Sequence, residues 1–218
     1  MSKENEQTIE VYEQYGQKYL DRNSADIINN SKAKRDDERQ IELFKNYTQG
    51  FSSEATIFEI GSASGRDART LMRLGFHNIT VSDVAEFFID YLKKNGFSPI
   101  KFNLITDIFP SKYDIILCWA VLVHFKKDEA IASIKKIHEA LHNDGAFIFC
   151  VKHKEGHEGE WEDHQGRIGA KRFFTYWNKN ELYDVLSEIG FKDISIEQHG
   201  GARACWLNCC AKKDQKHL

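Results

Sequence analysis

Along the chain, short continuous apolar runs alternate with longer stretches in which apolar residues recur at helical spacing. Thr56 to Ile60 is the first such run, apolar and β-rich apart from Glu59, as suits a strand buried in a parallel sheet. Ile79 to Ser82, Ile100 to Leu104, Asp114 to Cys118 and Ala146 to Lys152 read as further strands. Between them the helical period appears in Arg66 to Leu74, Ala85 to Asn95, Asp128 to His142 and Lys179 to Ile189. Thr8 to Asp21 and Lys32 to Tyr47 are two further helices ahead of the first strand. Ile194 to Gln198 and Arg203 to Ala211 read as a closing hairpin. Gly75, Asn143-Asp144-Gly145 and Gly190 stand where helices must stop. Strands and helices in this alternation predict an α/β architecture around a mainly parallel sheet.

Candidate chemistry begins at the end of the first strand, in Glu59-Ile60-Gly61-Ser62-Ala63-Ser64-Gly65. A strand, a turn of small residues and a helix N-terminus make a nucleotide-type site, because the backbone turns sharply and free N–H groups face the ligand. A dinucleotide loop reads G-x-G-x-x-G/A. Here Ala63 and Arg66 occupy its second and third glycine positions, and Arg66 would crowd a pyrophosphate. Asp83, 22 residues after Gly61, ends the second strand, where an acid accepts both ribose hydroxyls or else caps the next helix.

The spacing acid-x-Gly-x-x-x-Gly in Glu59, Gly61 and Gly65 resembles the first motif of the class I S-adenosylmethionine (SAM)-dependent methyltransferases. Ala63 departs from the family's usual glycine and is tolerated only at negative φ. Tyr113 to Phe125 resembles the family's fourth-strand motif, and most nearly that of the small bacterial tellurite-resistance-type methyltransferases. The resemblance covers Ile9 to Lys213. It implies a Rossmann-like, doubly wound sheet of seven strands, mostly parallel, with an antiparallel C-terminal hairpin strand and helices on both faces. It implies SAM as cofactor, S-adenosyl-L-homocysteine as product, and a cradle of Glu59, Gly61, Ser62, Ala63 and Gly65. Asp83 would hold the ribose, and Val84, Asn103 and Leu104 the adenine, with Asp107 as the alternative to Asn103. Cys118 and Trp119 would lie beside the methionine portion. Tyr15 and Tyr19 would project from an N-terminal helical lid, where an aromatic ring attracts a sulfonium; Tyr12 is read as packing. His124 would sit near the transferring methyl, as a catalytic base or as a hydrogen-bonded histidine opening the next helix.

The segment 153–176 is a long loop on the ligand side of the fifth strand. Lys152, Glu158, Arg172, Phe173 and Phe174 match the resembled subgroup in order, as do Arg203 and Trp206-Leu207-Asn208. Gly201 replaces the subgroup's acid, which removes any contact that acid would have made. Lys152, Arg172, Tyr176 and Arg203 are thus substrate-binding candidates. Convergent cations would favour an anionic acceptor, unless the loop pairs with its own Glu155, Glu158, Glu160 and Asp163. His153, His157 and His164 match no named metal-site spacing, so no metal is assigned.

Composition narrows the classes. The 218 residues suit a single globular domain, with 1–50 as a helical lid or cap and 51–218 as the cofactor-binding part. A net charge of −3 and no long basic stripe argue against nucleic acid. No run approaches the ~18 apolar residues of a membrane span. Five cysteines without a secretory leader read as reduced thiols in a cytoplasmic protein. The expectation is a SAM-dependent methyltransferase acting on a small molecule. The alternatives are a SAM-binding regulator without catalysis and, less favoured for want of a Tyr-x-x-x-Lys pair, an NAD-dependent oxidoreductase. Oligomeric state and acceptor identity are not legible.

Overall fold

A computed structural model describes residues 1–23, 31–155, 159–163, 168–201 and 204–214. Seven strands form one sheet in the order β3-β2-β1-β4-β5-β9-β8. These are β1 (Ile57–Ile60), β2 (Ile79–Asp83), β3 (Ile100–Lys101), β4 (Tyr113–Trp119), β5 (Leu141–His153), β8 (Phe191–Gly201) and β9 (Ala204–Lys213). The first five pair in parallel, and β9 runs antiparallel between β5 and β8.

Strand alternation sends side chains to opposite faces. Phe58, Ile60, Ile116, Cys118, Phe147 and Phe149 join one core with α5 (Lys127–Ala140) and α6 (Lys179–Ile189). Ile57, Ile115, Leu117, Ala146 and Ile148 join the other with Phe44 of α2 (Ser31–Tyr47) and Leu71 of α3 (Arg66–Arg73). A sheet covered on both faces explains the continuous apolar runs. Helix ends follow local chemistry. The Asn178 side chain accepts from Asn180 N–H in a capping box with Glu181, and Gly190, at φ 103°, stops α6. α1 (Lys3–Asn23) packs on α4 (Glu86–Lys94), where the Glu13 carboxylate accepts from the Glu86 and Phe87 N–H groups at 2.6 and 3.0 Å.

Three expectations change. β3 stops at Lys101, well short of Leu104, because Asn103 folds the backbone on itself. Its side chain accepts from Ile105 N–H and its own N–H donates to Asp107, an Asx turn that ends a strand. β5 starts at Leu141, absorbing the expected turn, with Asp144 left-handed at φ 59°. The segment after β5 is no plain loop, since β6 (Gly159–Glu162) and β7 (Arg172–Thr175) pair antiparallel as a second small sheet. Arg203, His157, Glu158, His164 and Arg167 lie outside the described residues.

Candidate functional site

The turn after β1 is held open by three left-handed residues, Gly61 (φ 71°), Ala63 (φ 44°) and Gly65 (φ 73°). A positive φ at Ala63 overturns the expectation that alanine requires a negative one there. The turn needs that conformation to aim the Ala63 N–H at Asp83 Oδ2, 2.9 Å away. The other oxygen, Oδ1, accepts from Ala85 N–H at 3.0 Å. Asp83 therefore ties the loop to Ala85, the residue before α4, and lines the cavity; the N-cap of α4 is Ala85, whose side chain accepts no N–H, so Asp83 does not fill the expected capping role. Burial raises its pKa to about 6. Glu59 turns inward instead: it accepts from Ser62 Oγ at 2.9 Å, and burial with neighbouring Asp67 raises its pKa.

A cavity of about 110 Å³ opens beside this turn. Gly61, Ala63, Asp83, Val84, Asn103, Leu104, Trp119, Tyr19 and His124, all candidates from the sequence, line it. Cys118 belongs to the core beneath β4, and Ser62 and Glu59 support the loop from behind. Gly65 starts α3 with Phe97 against it, and Tyr15 stacks under Lys18; neither lines the cavity. The sequence reading missed Asn5, Thr8, Phe88 and Phe102, which line it, and above all Tyr12. Asn5 lies ahead of the expected helix start, and Tyr12 shares its helix with Tyr15 and Tyr19, so helical periodicity alone could not rank them.

Tyr12 is the hub of the cavity's other end. His124 Nδ1 donates to the Phe173 carbonyl at 2.7 Å, since a carbonyl can only accept, which leaves Nε2 as an acceptor. The Tyr12 hydroxyl donates to that Nε2 at 2.9 Å and accepts from Arg172 Nη1 at 2.7 Å. Burial, with Arg172 and Lys152 nearby, pushes the His124 pKa down to about 3. This geometry leaves His124 neutral with both ring nitrogens engaged, at odds with a histidine free to serve as base. Arg172 is 6% exposed, stacks on Tyr12 and Phe174, and has no carboxylate partner among the described residues. Its Nε is buried without a hydrogen bond.

Lys152 differs. It is 2% exposed, lies 3.6 Å from the Phe174 ring centroid and pairs closely with Glu162, which also accepts from the Tyr176 hydroxyl at 3.0 Å. Lys152 and Tyr176 thus pin the β6–β7 hairpin to β5, and their polar groups are spent on Glu160 and Glu162. Burial lowers the Lys152 pKa to about 8. Between there and the ordinary lysine range the unfolded chain binds more protons, so stability rises with pH. Wild type is expected to gain about 2 kcal/mol over Lys152→Met from pH 7.5 to 9.5 in urea unfolding, a pKa unit being worth about 1.4 kcal/mol. A gap that does not change with pH would contradict this.

His153 Nδ1 bonds the Trp177 carbonyl at 2.8 Å. Among the described residues no group of three His, Cys, Asp or Glu could hold a metal ion, and no helix is long and apolar enough to cross a membrane.

Comparison with known proteins follows the geometry. A family model described as a methyltransferase domain matches residues 18–196. No curated protein matches. Among solved structures, magnesium protoporphyrin IX methyltransferase from Synechocystis PCC 6803 with bound SAM superposes with a TM-score of 0.72 at 13% identity, covering 98% of this chain and 99% of that one. DhpI in complex with S-adenosylhomocysteine gives 0.71 at 16%, covering 98% of each chain. The 1,6-didemethyltoxoflavin-N1-methyltransferase of Burkholderia thailandensis gives 0.63 at 18%, covering 92% of this chain and 91% of that one. At such identities the likeness establishes the fold, a Rossmann-like sheet with helices on both faces.

Proposed function

The chain belongs to the methyltransferase domain family, and from that premise we propose that it transfers a methyl group from SAM to a small-molecule acceptor. The observation carrying this is one continuous cavity that runs from Asp83, past the left-handed loop, to Tyr12 and His124. The residues fit the cofactor. Asp83 would accept from the ribose hydroxyls, Val84, Phe102 and Leu104 would enclose the adenine, and Asn103 would offer its polar edge. A Cβ at Gly61 would lie 2.4 Å from Val121, so only glycine lets the loop pack this closely on that lining residue. Tyr19 and Trp119 would flank the sulfonium side. When bound, SAM supplies a methyl group already activated on sulfur. The chain's own task is to align the acceptor with it and exclude water, which α1 does by closing over the cavity.

In this reading the lid is α1, for Phe44 of α2 is rooted in the far core. Lys152 and Tyr176 shape the acceptor end through the hairpin, and Arg172 draws an anionic acceptor. Arg203 is placed there by the subgroup pattern alone. The runs at Tyr113 to Phe125 and Arg172 to Phe174 support placement near the tellurite-resistance-type enzymes. A cytoplasmic setting suits five unbridged cysteines. NAD enzymes share the fold plan, as do SAM-binding regulators. Calorimetry should give micromolar or tighter binding of S-adenosylhomocysteine and none of NAD, and labelled SAM should lose its methyl group to an acceptor in a small-molecule panel. NAD binding would refute the cofactor; S-adenosylhomocysteine binding without any transfer would favour the regulator.

A further inference from the structure

A buried guanidinium with no anion beside it is costly, since desolvation is offset only by pairing. Arg172 is in that condition: Nη1 reaches a neutral phenol, Nε reaches nothing, and the faces are covered by Tyr12 and Phe174. The neighbouring cation, Lys152, is already balanced by Glu162. Among the described residues, the Arg172 charge therefore stands unmatched by a carboxylate behind the Tyr12–His124 wall of the cavity.

The same wall offers no free base. His124 is bonded at both ring nitrogens, both oxygens of Asp83 hold backbone amides at the opposite end, and His153, whose Nδ1 donates to the Trp177 carbonyl, stands outside the cavity's lining. Among the described residues lining the cavity, an acceptor that had to lose a proton would find no free base. Resting on the methyltransferase reading, we infer that the acceptor is an oxyacid, a carboxylate or phosphonate, whose anionic oxygen pairs with Arg172 and is itself methylated. The Tyr12 hydroxyl marks the seat, because its oxygen already accepts the Arg172 hydrogen bond that the acceptor's oxygen would take. The acceptor oxygen bonds to the methyl carbon as the carbon–sulfur bond breaks, and that electron pair returns to sulfur. The sulfonium becomes a thioether, a carboxylate becomes a neutral ester or a phosphonate dianion a monoanionic monoester, and no proton moves. With one negative charge fewer, the product is held less tightly by Arg172, which favours release.

The test measures binding to the protein saturated with S-adenosylhomocysteine. Benzoate and phenylphosphonate are titrated against benzamide and benzyl alcohol, neutral probes of the same shape. At least one oxyacid is expected to bind ~10-fold or more tightly than both neutral probes, a charged pair contributing ~1.5–3 kcal/mol. Arg172→Gln should abolish the preference and Arg172→Lys keep part of it, with S-adenosylhomocysteine affinity within about twofold of wild type. Tyr12→Phe, which leaves Arg172 in place, should bind the oxyacid as well or better, and this arm stands if Arg172→Gln does not fold. With labelled SAM and benzoate, the methyl should be released as volatile methanol by mild alkali. Equal binding of acids and neutral probes, or a preference that survives Arg172→Gln, overturns the inference. Failure of wild type to bind S-adenosylhomocysteine would instead overturn the methyltransferase reading.

Discussion

Asp83→Asn is expected to weaken S-adenosylhomocysteine binding at least ~100-fold, two charge-assisted hydrogen bonds to a ribose contributing ~1.5–3 kcal/mol each. The carboxylate is buried, and its two oxygens already receive the Ala63 and Ala85 N–H groups, so it is fixed before any ligand arrives. That pre-orientation has an electrostatic consequence. Because burial raises the pKa to about 6, the ligand-free protein begins to protonate Asp83 in mildly acidic solution. Ribose hydroxyls donate to the ionised form, so wild-type affinity should be flat above pH 6 and fall about tenfold per unit below it. Asp83→Asn should show no such fall. Calorimetric titration of both proteins from pH 5 to 8 reads both effects. A merely structural Asp83 would lower the melting temperature and leave wild-type affinity without that inflection.

Gly61→Ala is expected to abolish detectable S-adenosylhomocysteine binding and lower stability by ~2–3 kcal/mol. Two costs combine. A left-handed φ of 71° costs a residue with a Cβ ~1–2 kcal/mol, and that Cβ would lie 2.4 Å from Val121 Cγ2. Relieving the clash pushes Val121, which itself lines the cavity, away from or into the ligand's path. The pair Gly61→Ala with Val121→Ala should recover part of the stability and little of the binding, because the φ penalty at the turn remains and Val121 no longer lines the cavity. Urea unfolding and calorimetry separate the two terms. Full binding in Gly61→Ala would show that no ligand approaches the loop closely.

The sheet was legible because its central strands are buried on both faces, and Thr56 to Ile60 and Asp114 to Cys118 show it as mostly apolar runs. β3 was overread because Phe102 and Leu104 are buried like strand residues while the Asn103 Asx turn takes the backbone out of the ladder. Within the candidate site, Asp83 at the second strand's end and Val84 and Trp119, which the family resemblance singles out, line one cavity because the strand ends and the tight turn meet there. Cys118 was misplaced by one step of strand alternation: its neighbour Trp119 faces the cavity and it faces the core. Ala63 was misjudged because a hydrogen bond from its own N–H to Asp83, invisible in sequence, outweighs a left-handed cost. The acceptor end was the least legible. Arg172 and Lys152 carry the same charge in the sequence, and only tertiary contacts show that Glu162 neutralises one and a tyrosine faces the other.

A crystal structure with S-adenosylhomocysteine tests the central claim most directly. The account predicts adenine between Val84 and Leu104, ribose hydroxyls on Asp83, the amino-acid tail along Gly61 to Gly65, and sulfur turned toward Tyr12 and His124. A ligand lying elsewhere, or a dinucleotide pyrophosphate across the turn in its place, would contradict it.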